Sequence, residues 1–453
     1  MPVVPLTADP AVRDETVALL QRLIRFDTVN PPGRELACAH WLAGVLAAER
    51  IDARVLVTAP ERGAVVARLR GTGAARPLLL LAHMDVVGVQ VERWSVPPFA
   101  GEVREGALYG RGAIDDKGML ATNLMTMLLL ARECRRTGRR PARDVLFVAS
   151  PDEEAGSEAG LAWLLAHRPE LLEAELALNE GGRVRVVNGR PLYAAIQVAE
   201  KVPHLVTITA RGPAGHAAVP LPGNAIVRLG RALARLGEHR EPLVRTEVAR
   251  RFFGELAAVW PQPDVAAGMA LVGGDAAGAE RGAATLAATP VFDAVLRAGI
   301  SPVLVAGGER ENVIPSDAVA TLAVRTLPGQ RLADVVARIR GVVADDDVEI
   351  VVAHEGEDAP ASDVASPLFA ALAAAMRQRE PGLAVVPYLS TGATDNARLR
   401  RARIAAYGLL PFPLDADDEG RMHGHDERLP LTALHWGVDV VHDAVRRVTG
   451  LAD

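Results

Sequence analysis

The sequence contains few cysteines, few aromatic residues and no long apolar run. Only two of its 453 residues are cysteines and 4% are aromatic. The isolated positions of Cys38 and Cys134 exclude a disulfide framework and a thiolate zinc site, so both are predicted to be small buried residues. No segment approaches the ~18 apolar residues of a membrane span, and residues 1–30 lack the pattern of a signal peptide. These absences predict a cytoplasmic protein without a membrane partner.

The sequence also lacks a basic stripe. Lysine and arginine number 50 against 56 aspartates and glutamates, giving a net charge of −6 with both signs interspersed. Such a distribution excludes the electrostatic footprint of a nucleic-acid-binding protein and favours a small-molecule substrate. The chain exceeds the ~250–300 residues at which one hydrophobic core stops growing, so two domains are expected.

Continuous apolar runs alternate with amphipathic segments in both terminal parts of the chain. The runs Leu78–Ala82 and Val145–Ala149 have the length of strands buried on both faces, and a helix is predicted between them at about 117–136. This alternation predicts an α/β domain, a mixed sheet covered by helices on both faces, formed by residues 1–199 and 358–453.

The pattern changes near residue 200. Polar and apolar residues alternate over 204–210, Asn224 is a candidate N-cap for a helix, and further elements follow at 317–325, 331–343 and 347–353. Residues 200–357 are therefore predicted to form an inserted α+β domain, an antiparallel sheet with two helices on one face. Residues 240–300 are predicted to hold helices with loose connections or an elaboration of the insert, and no function is assigned to them.

Six side chains of the types that bind metals occur in five separate motifs. Several of the motifs directly follow predicted strands, where active sites of α/β sheets form. The six residues are His83, Asp115, Glu153, Glu154, Glu180 and His423. Imidazoles and carboxylates are zinc ligands, and zinc lowers the pKa of bound water from about 15.7 to roughly 7. The set suffices for two zinc ions sharing one carboxylate, with a spare carboxylate as base. Cobalt or manganese would accept the same ligands.

The residues alone leave several roles open. Either Asp115 or Asp116 could bridge two metal ions. Asp85 could hold the second ring nitrogen of His83. One division of labour places Glu154 on a metal and leaves Glu153 to transfer the proton of the attacking water. Each motif by itself is more often a helix cap or a polar turn, so the prediction depends on their joint occurrence.

From about residue 10 to 450 the chain resembles the co-catalytic di-zinc aminoacylase and carboxypeptidase family, which includes glutamate carboxypeptidase, acetylornithine deacetylase, succinyl-diaminopimelate desuccinylase and carnosinase. The motifs that carry the likeness are His83-Met84-Asp85, Asp115-Asp116-Lys117-Gly118, Glu153-Glu154, Asn179-Glu180-Gly181-Gly182 and His423-Gly424-His425-Asp426-Glu427. The resemblance implies that Asp115 bridges the metals before a cis peptide bond, that Glu153 is the base, and that His83, Glu154, Glu180 and His423 complete the ligands. The Asn-Glu-Gly-Gly sequence is most similar to the carboxypeptidase-S and N-acyl-amino-acid hydrolase branch.

The likeness extends to the insert and to one later loop. His216, in Gly215-His216-Ala217, resembles a lid histidine that polarises the scissile carbonyl. Asn312 and Arg325 are similar to residues that bind the substrate carboxylate, and Thr394-Asp395 to a substrate loop. The resemblance also implies a possible homodimer through the lid domain.

The expected function is hydrolysis of a peptide or N-acyl amide bond next to a free carboxylate on a small substrate, of carboxypeptidase or dipeptidase type. An N-acyl-amino-acid deacylase is the alternative, and a catalytically inactive binding protein on the same fold is a weaker one. A serine or cysteine hydrolase is disfavoured, because the sequence has no Gly-x-Ser-x-Gly elbow and neither cysteine has a suitable context.

Overall fold

The computed structural model describes residues 5–452, which divide into two compact units. The first comprises the residues up to Val198, Ala361–Tyr388 and the residues from Thr394 onward. The second comprises Ala199–Pro360 and Leu389–Ala393. The insert was predicted to begin at residue 200 and end at 357, which is one residue from the observed start at 199 and three from the observed end at 360. The sequence did not indicate that the short segment 389–393 groups with the insert.

The helices are α1 (Pro10–Ile24), α2 (Leu36–Ala48), α3 (Lys117–Thr137), α4 (Leu161–His167), α5 (Ala225–Glu238), α6 (Glu247–Leu256), α7 (Pro263–Gly273), α8 (Ala279–Leu286), α9 (Pro290–Leu296), α10 (Leu332–Val343), α11 (Pro367–Arg379), α12 (Asn396–Arg401), α13 (Ala416–Glu419) and α14 (Leu431–Val448).

The strands are β1 (Asp52–Ala59), β2 (Arg62–Leu69), β3 (Leu78–His83), β4 (Glu102–Arg104), β5 (Ala107–Tyr109), β6 (Val145–Ser150), β7 (Leu176–Asn179), β8 (Arg183–Val187), β9 (Arg190–Glu200), β10 (Val202–Arg211), β11 (Gly215–His216), β12 (Gly299–Gly307), β13 (Val313–Ile314), β14 (Asp317–Thr326), β15 (Val348–His354), β16 (Ala384–Ser390), β17 (Ala405–Gly408), β18 (Pro413–Leu414) and β19 (Arg428–Pro430).

The first unit contains a mixed sheet with the strand order β1-β2-β6-β3-β7-β17-β9-β8-β18, and β16 also pairs with β9. Every residue of β3 and β6 is buried. Leu79 and Leu146 belong to an apolar cluster with Leu161 of α4 and Leu399 of α12, while α3 contacts both strands. Because successive side chains of a strand point to opposite faces, unbroken apolar runs are needed for a sheet covered on both sides. The predicted fold class, mixed α/β, is confirmed.

The direction of three central strands places polar residues at one edge of this sheet. Strand β3 pairs in parallel with β6 on one side and with β7 on the other. Their carboxyl ends are therefore neighbours. His83 is the last residue of β3, while Glu153 and Glu180 follow shortly after β6 and β7.

The second unit is built on an antiparallel sheet with the order β12-β14-β10-β15, and α5 and α10 pack against it in one apolar cluster. The side chain of Asn224 accepts hydrogen bonds from the amides of Ile226 and Val227, so it caps α5 as predicted. Residues 240–300 contain the four helices α6 to α9, where Phe253 and Trp260 pack edge-on against Phe292.

One prediction about the cysteines was wrong. Cys38 is buried, but Cys134 is only partly buried. It lies in the last turn of α3, where the neighbouring Arg135 and Arg136 are exposed. No helix within residues 5–452 is long and apolar enough to cross a membrane. The cytoplasmic location stays a prediction.

Phe147 lies in the middle of β6 and is fully buried. We expect Phe147→Ala to lower the free energy of unfolding by about 3–5 kcal/mol, since the truncation leaves a cavity between packed layers. Urea unfolding followed by circular dichroism measures this. Val57→Ala is the control, because Val57 is 59% exposed and its truncation should change stability by less than about 0.5 kcal/mol. Equal midpoints for the two variants would contradict this account of the core.

Candidate metal centre

Five segments of the first unit converge at the strand edge. His83 ends β3, Glu153 opens a short 3-10 turn after β6, and Glu180 follows β7. Asp115 lies in the loop before α3, and His423 in the loop between α13 and β19. The structure thus brings together the six side chains that the sequence singled out, including Glu154 beside Glu153.

The carboxylate of Asp115 contacts both histidines, one through each oxygen. Its Oδ1 lies 3.0 Å from Nε2 of His83, and its Oδ2 lies 3.1 Å from Nε2 of His423. Asp116 points differently, since its Oδ2 accepts a hydrogen bond from the backbone amide of His83 at 3.2 Å. The peptide bond between these two aspartates is cis. Of the two aspartates, Asp115 is therefore the one whose carboxylate contacts both histidines.

The glutamates complete two overlapping groups around His83. Oε1 of Glu154 lies 3.2 Å from Nε2 of His423. Candidate ligand atoms of His83, Asp115 and Glu154 lie within 4.8 Å of one another, and so do those of His83, Glu153 and Glu180. Distance alone allows Glu153 to be either a ligand or the spare base, so the individual roles stay predictions.

The electrostatics of the cluster are dominated by buried carboxylates. Burial, reinforced by Glu153 and Asp115, raises the pKa of Glu180 well above its usual value. Burial raises the pKa of Glu153 in the same way, with Asp395 and Asp115 adding to the effect. Hydrogen bonding to Asp115, and then to Glu154, raises the pKa of His423 to about 10. Mutually repelling carboxylates kept out of water are stabilised by cations, and imidazole and carboxylate suit zinc. This donor set fits a metal centre.

Asp85 holds the turn that carries the two glutamates. Its Oδ1 and Oδ2 accept hydrogen bonds from the amides of Glu153 and Glu154, both at 3.1 Å. From the sequence, Asp85 could hold the second ring nitrogen of His83, which in the structure is Nδ1. The backbone oxygen of Asp85 lies 3.0 Å from that nitrogen, whereas the carboxylate Oδ1 lies 3.5 Å away. The backbone oxygen is thus the nearer partner of the ring, and the carboxylate positions the turn as well.

A buried polar network extends behind Asp85. Nδ2 of Asn30 donates to Asp85 at 2.8 Å and to Asp152 at 3.1 Å. Arg62 donates to Asp152 at 2.7 Å and makes two further hydrogen bonds to Glu35. These bonds fix Asp152, the residue just before the Glu153-Glu154 pair, to the first residue of β2 and, through it, to the N-cap of α2.

The two glycines after Glu180 permit a close approach of backbone. A Cβ on Gly181, which has a φ of +117°, would lie 2.3 Å from Oε1 of Gln197. One on Gly182 would lie 2.3 Å from the backbone oxygen of Ala195. Asn396 donates to the backbone oxygen of Glu180 at 2.8 Å and to Gln197 at 2.6 Å. This cradle positions Glu180.

The predicted substrate loop lies beside the same cradle. A Cβ on Gly181 would lie 3.2 Å from Cγ2 of Thr394. Asp395 accepts a hydrogen bond from the hydroxyl of Ser157 at 2.6 Å, and burial raises the pKa of Asp395 to about 6. Both residues belong to the first unit, together with the cluster.

The other predicted substrate residues belong to the second unit. His216 is exposed on β11 and pairs with Val313 of β13, and the amide of Ala217 donates to the backbone oxygen of Asn312 at 3.1 Å. His216 and Asn312 are therefore neighbours. Arg325 lies apart from this pair on β14, opposite Pro203 of β10 and Gly299 of β12.

Several supporting residues escaped the sequence analysis. They are Asn30, Arg62, Asp152, Gln197 and Asn396, together with Arg111 and Glu427, which link the loops of Asp115 and His423. The sequence gives only a weak signal for these residues, because each is a single polar residue that lies beside a motif or far from one. The signal is strongest for Glu427, since this residue is the last of the His423 motif.

Comparison with known proteins identifies the family of the chain. Residues 79–447 match the family model described as peptidase family M20/M25/M40. Probable carboxypeptidase S-like 2 of Dictyostelium discoideum is 27% identical over 383 residues, covering 82% of this chain and 71% of that protein. An N-fatty-acyl-amino acid synthase/hydrolase of Xenopus tropicalis is 27% identical over 367 residues, covering 79% of this chain and 70% of that protein.

A solved structure shares the fold. An M20 family metallo-carboxypeptidase from Sulfolobus solfataricus aligns with a TM-score of 0.71 at 18% identity, covering 96% of this chain and 99% of that one. Homologues of the carboxypeptidase S-like and acyl-amino-acid hydrolase types agree with the branch that the sequence resembles. The family match spans most of the chain, and a group of side chains able to hold metal lies within it. The chain belongs to the M20/M25/M40 family of metallopeptidases and is a hydrolase acting on amide bonds.

Proposed function

We propose that the protein is a two-zinc hydrolase that cleaves a peptide or N-acyl amide bond adjacent to a free carboxylate on a small substrate. The observation that carries this proposal is the double contact of Asp115, whose two oxygens meet His83 and His423 separately. A carboxylate used in this way can be shared by two cations. Glu154 would complete one ligand set and Glu180 the other.

Zinc bound by these residues would supply Lewis-acid activation of water and of the substrate carbonyl. In our proposal Glu153 takes the proton of the attacking water and delivers it to the departing nitrogen. The backbone amide of Glu153 donates a hydrogen bond to Asp85. This bond fixes the turn from which the carboxylate of Glu153 extends. His216 donates a hydrogen bond to the oxygen of the scissile carbonyl.

Recognition of the substrate carboxylate is assigned to Arg325. Asn312 lies apart from Arg325, so its role in substrate binding stays a prediction. Nη1 of Arg325 is buried without a hydrogen-bond partner among residues 5–452, and burial lowers the pKa of this guanidinium. A buried donor without an acceptor is costly, and a carboxylate is the acceptor that a guanidinium fits best. This supports a substrate that carries a free carboxylate.

N-acyl-amino-acid hydrolysis is the second candidate. The similarity to a hydrolase of N-fatty-acyl amino acids covers 79% of the chain. Such substrates also present a free carboxylate beside an amide bond, so the same residues would serve. The two candidates differ in the group on the acyl side of the scissile bond.

A panel of mixed dipeptides and N-acyl amino acids, assayed by mass spectrometry with zinc-loaded protein, distinguishes the candidates. On any substrate that is cleaved, we expect Glu153→Ala to lower turnover by about 10²–10⁴-fold while the protein keeps its metal, because only the proton transfer is lost. Metal content is measured by inductively coupled plasma mass spectrometry.

Glu158→Ala is the matched control, since Glu158 lies five positions on and its side chain is 85% exposed. Loss of metal in Glu153→Ala would make this residue a ligand instead of the base. Activity that survives a chelator would point to a metal-independent hydrolase, and dipeptide binding without product would favour an inactive binding protein.

His423→Ala should lower the bound metal from two ions towards one, because the variant removes the only imidazole that contacts both Asp115 and Glu154 in the described cluster. The measurement is metal content after dialysis against metal-free buffer. His425→Ala is the control, since His425 is exposed on the same loop. Two retained ions in His423→Ala would remove it from the ligand set.

We further propose that the protein forms a homodimer through the second unit. Strand β12 is an edge strand of the antiparallel sheet, and Val303, Leu304 and Val305 are 52%, 67% and 65% exposed. A long exposed apolar edge strand readily pairs with another chain, and two copies related by a two-fold axis would cover it symmetrically.

Leu304→Asp should convert the dimer into a monomer, because it places a charged carboxylate on the edge strand that the second copy would cover. Size-exclusion chromatography with light scattering measures the mass. Val57→Asp is the control, since Val57 is 59% exposed on β1, an edge strand of the mixed sheet in the first unit. A monomeric wild-type protein, or a dimer unaffected by Leu304→Asp, would contradict the proposed interface.

A further inference from the structure

The carboxylate of Glu427 is fully buried between the two loops that carry Asp115 and His423. Its Oε2 accepts from Nη1 of Arg111 at 2.6 Å and from the amide of Gly112 at 3.0 Å. Its Oε1 accepts from the amides of Ile114 at 2.8 Å and Asp115 at 3.2 Å. Four donors therefore saturate this carboxylate, and one of them is the backbone of the candidate bridging residue.

Arg111 makes the reciprocal connection to the other loop. Its Nη2 donates to the backbone oxygens of His423 at 3.2 Å and Gly424 at 2.9 Å. The guanidinium is 2% exposed, and its carbon lies 5.3 Å from the centre of the Trp94 ring. Arg111 thus holds the backbone of His423, while Glu427 holds that of Asp115.

The two loops are also joined where they begin and end. Strands β5 and β19 pair in antiparallel fashion, with Tyr109 opposite Arg428. This pairing continues into the loops, where the amide of Gly110 donates to the backbone oxygen of Glu427 at 2.9 Å. The Arg111–Glu427 pair binds the backbones of Asp115 and His423 themselves. These are the two residues whose side chains contact each other, with Oδ2 of Asp115 3.1 Å from Nε2 of His423.

We infer that Arg111 and Glu427 are positioning residues that set the separation of Asp115 and His423 and thereby the affinity of the metal position these two share. The inference rests on the proposed function. Neither side chain contacts a candidate ligand atom, so both act through the backbone. Outer-shell partners that orient ligands typically contribute 10- to 100-fold in metal affinity.

The test is a titration of metal-free protein with Co²⁺, followed by the visible absorption of the bound ion and by calorimetry. We expect the wild-type protein to bind two ions. Glu427→Gln should bind one of the two about 10- to 100-fold more weakly and change its absorption spectrum, because the amide places a donor where the carboxylate accepted. Circular dichroism shows that the fold is retained.

Asp426→Asn is the matched control, because it changes the neighbouring carboxylate, which accepts from the amide of Ser95 instead. Its titration should equal that of the wild type. The double variant Arg111→Gln/Glu427→Gln leaves no unpaired buried charge, so it should recover stability lost in Glu427→Gln but not the lost affinity.

Wild-type affinity at both positions in Glu427→Gln, or recovery of that affinity in the double variant, would overturn the inference, because the pair would then serve folding alone. A wild-type protein that binds no Co²⁺ would overturn the proposed function and the inference together. The two failures are distinguishable, since one appears only in the variants and the other in the parent protein.

Discussion

The contact of one carboxylate with two imidazoles is the constraint around which the first unit is organised. Asp115 meets His83 and His423 only if a loop, a strand end and a distant C-terminal segment arrive within a few ångströms of one another. Parallel strands supply one side of this arrangement, because their carboxyl ends share an edge. The other side depends on loops that have no regular structure, and these are held by buried hydrogen bonds to Glu427 and Asp85.

The sequence predicted the parts of the structure that are encoded locally. Apolar runs predicted β3 and β6 because strands buried on both faces consist mostly of apolar residues. An Asn before an amphipathic segment predicted the start of α5. The candidate ligands could be named because histidines and acidic residues directly after such strands are unusual in combination. The gathering of His83, Glu153 and Glu180 follows from the parallel order of β3, β6 and β7.

The remaining parts depend on contacts between distant segments, which a pattern along the chain does not display. Nothing near Arg111 indicates a carboxylate partner more than three hundred positions away. The role of Asp85 needed coordinates, since spacing suggested the ring of His83 and gave no hint of the amides of Glu153 and Glu154. Cys134 is partly exposed because it lies where α3 leaves the core. The spacing of apolar residues along the helix does not show where that point is.

The sequence separation of the Arg111–Glu427 pair, 316 positions, has a consequence for biosynthesis. During translation the loop around Asp115 leaves the ribosome long before its buried counterpart exists, and domains of this size fold as the chain emerges. Until Glu427 has been made, the amides of Gly112, Ile114 and Asp115 lack the acceptor that they have in the folded protein. Hydrolytic competence would then be acquired only after Glu427 has been made.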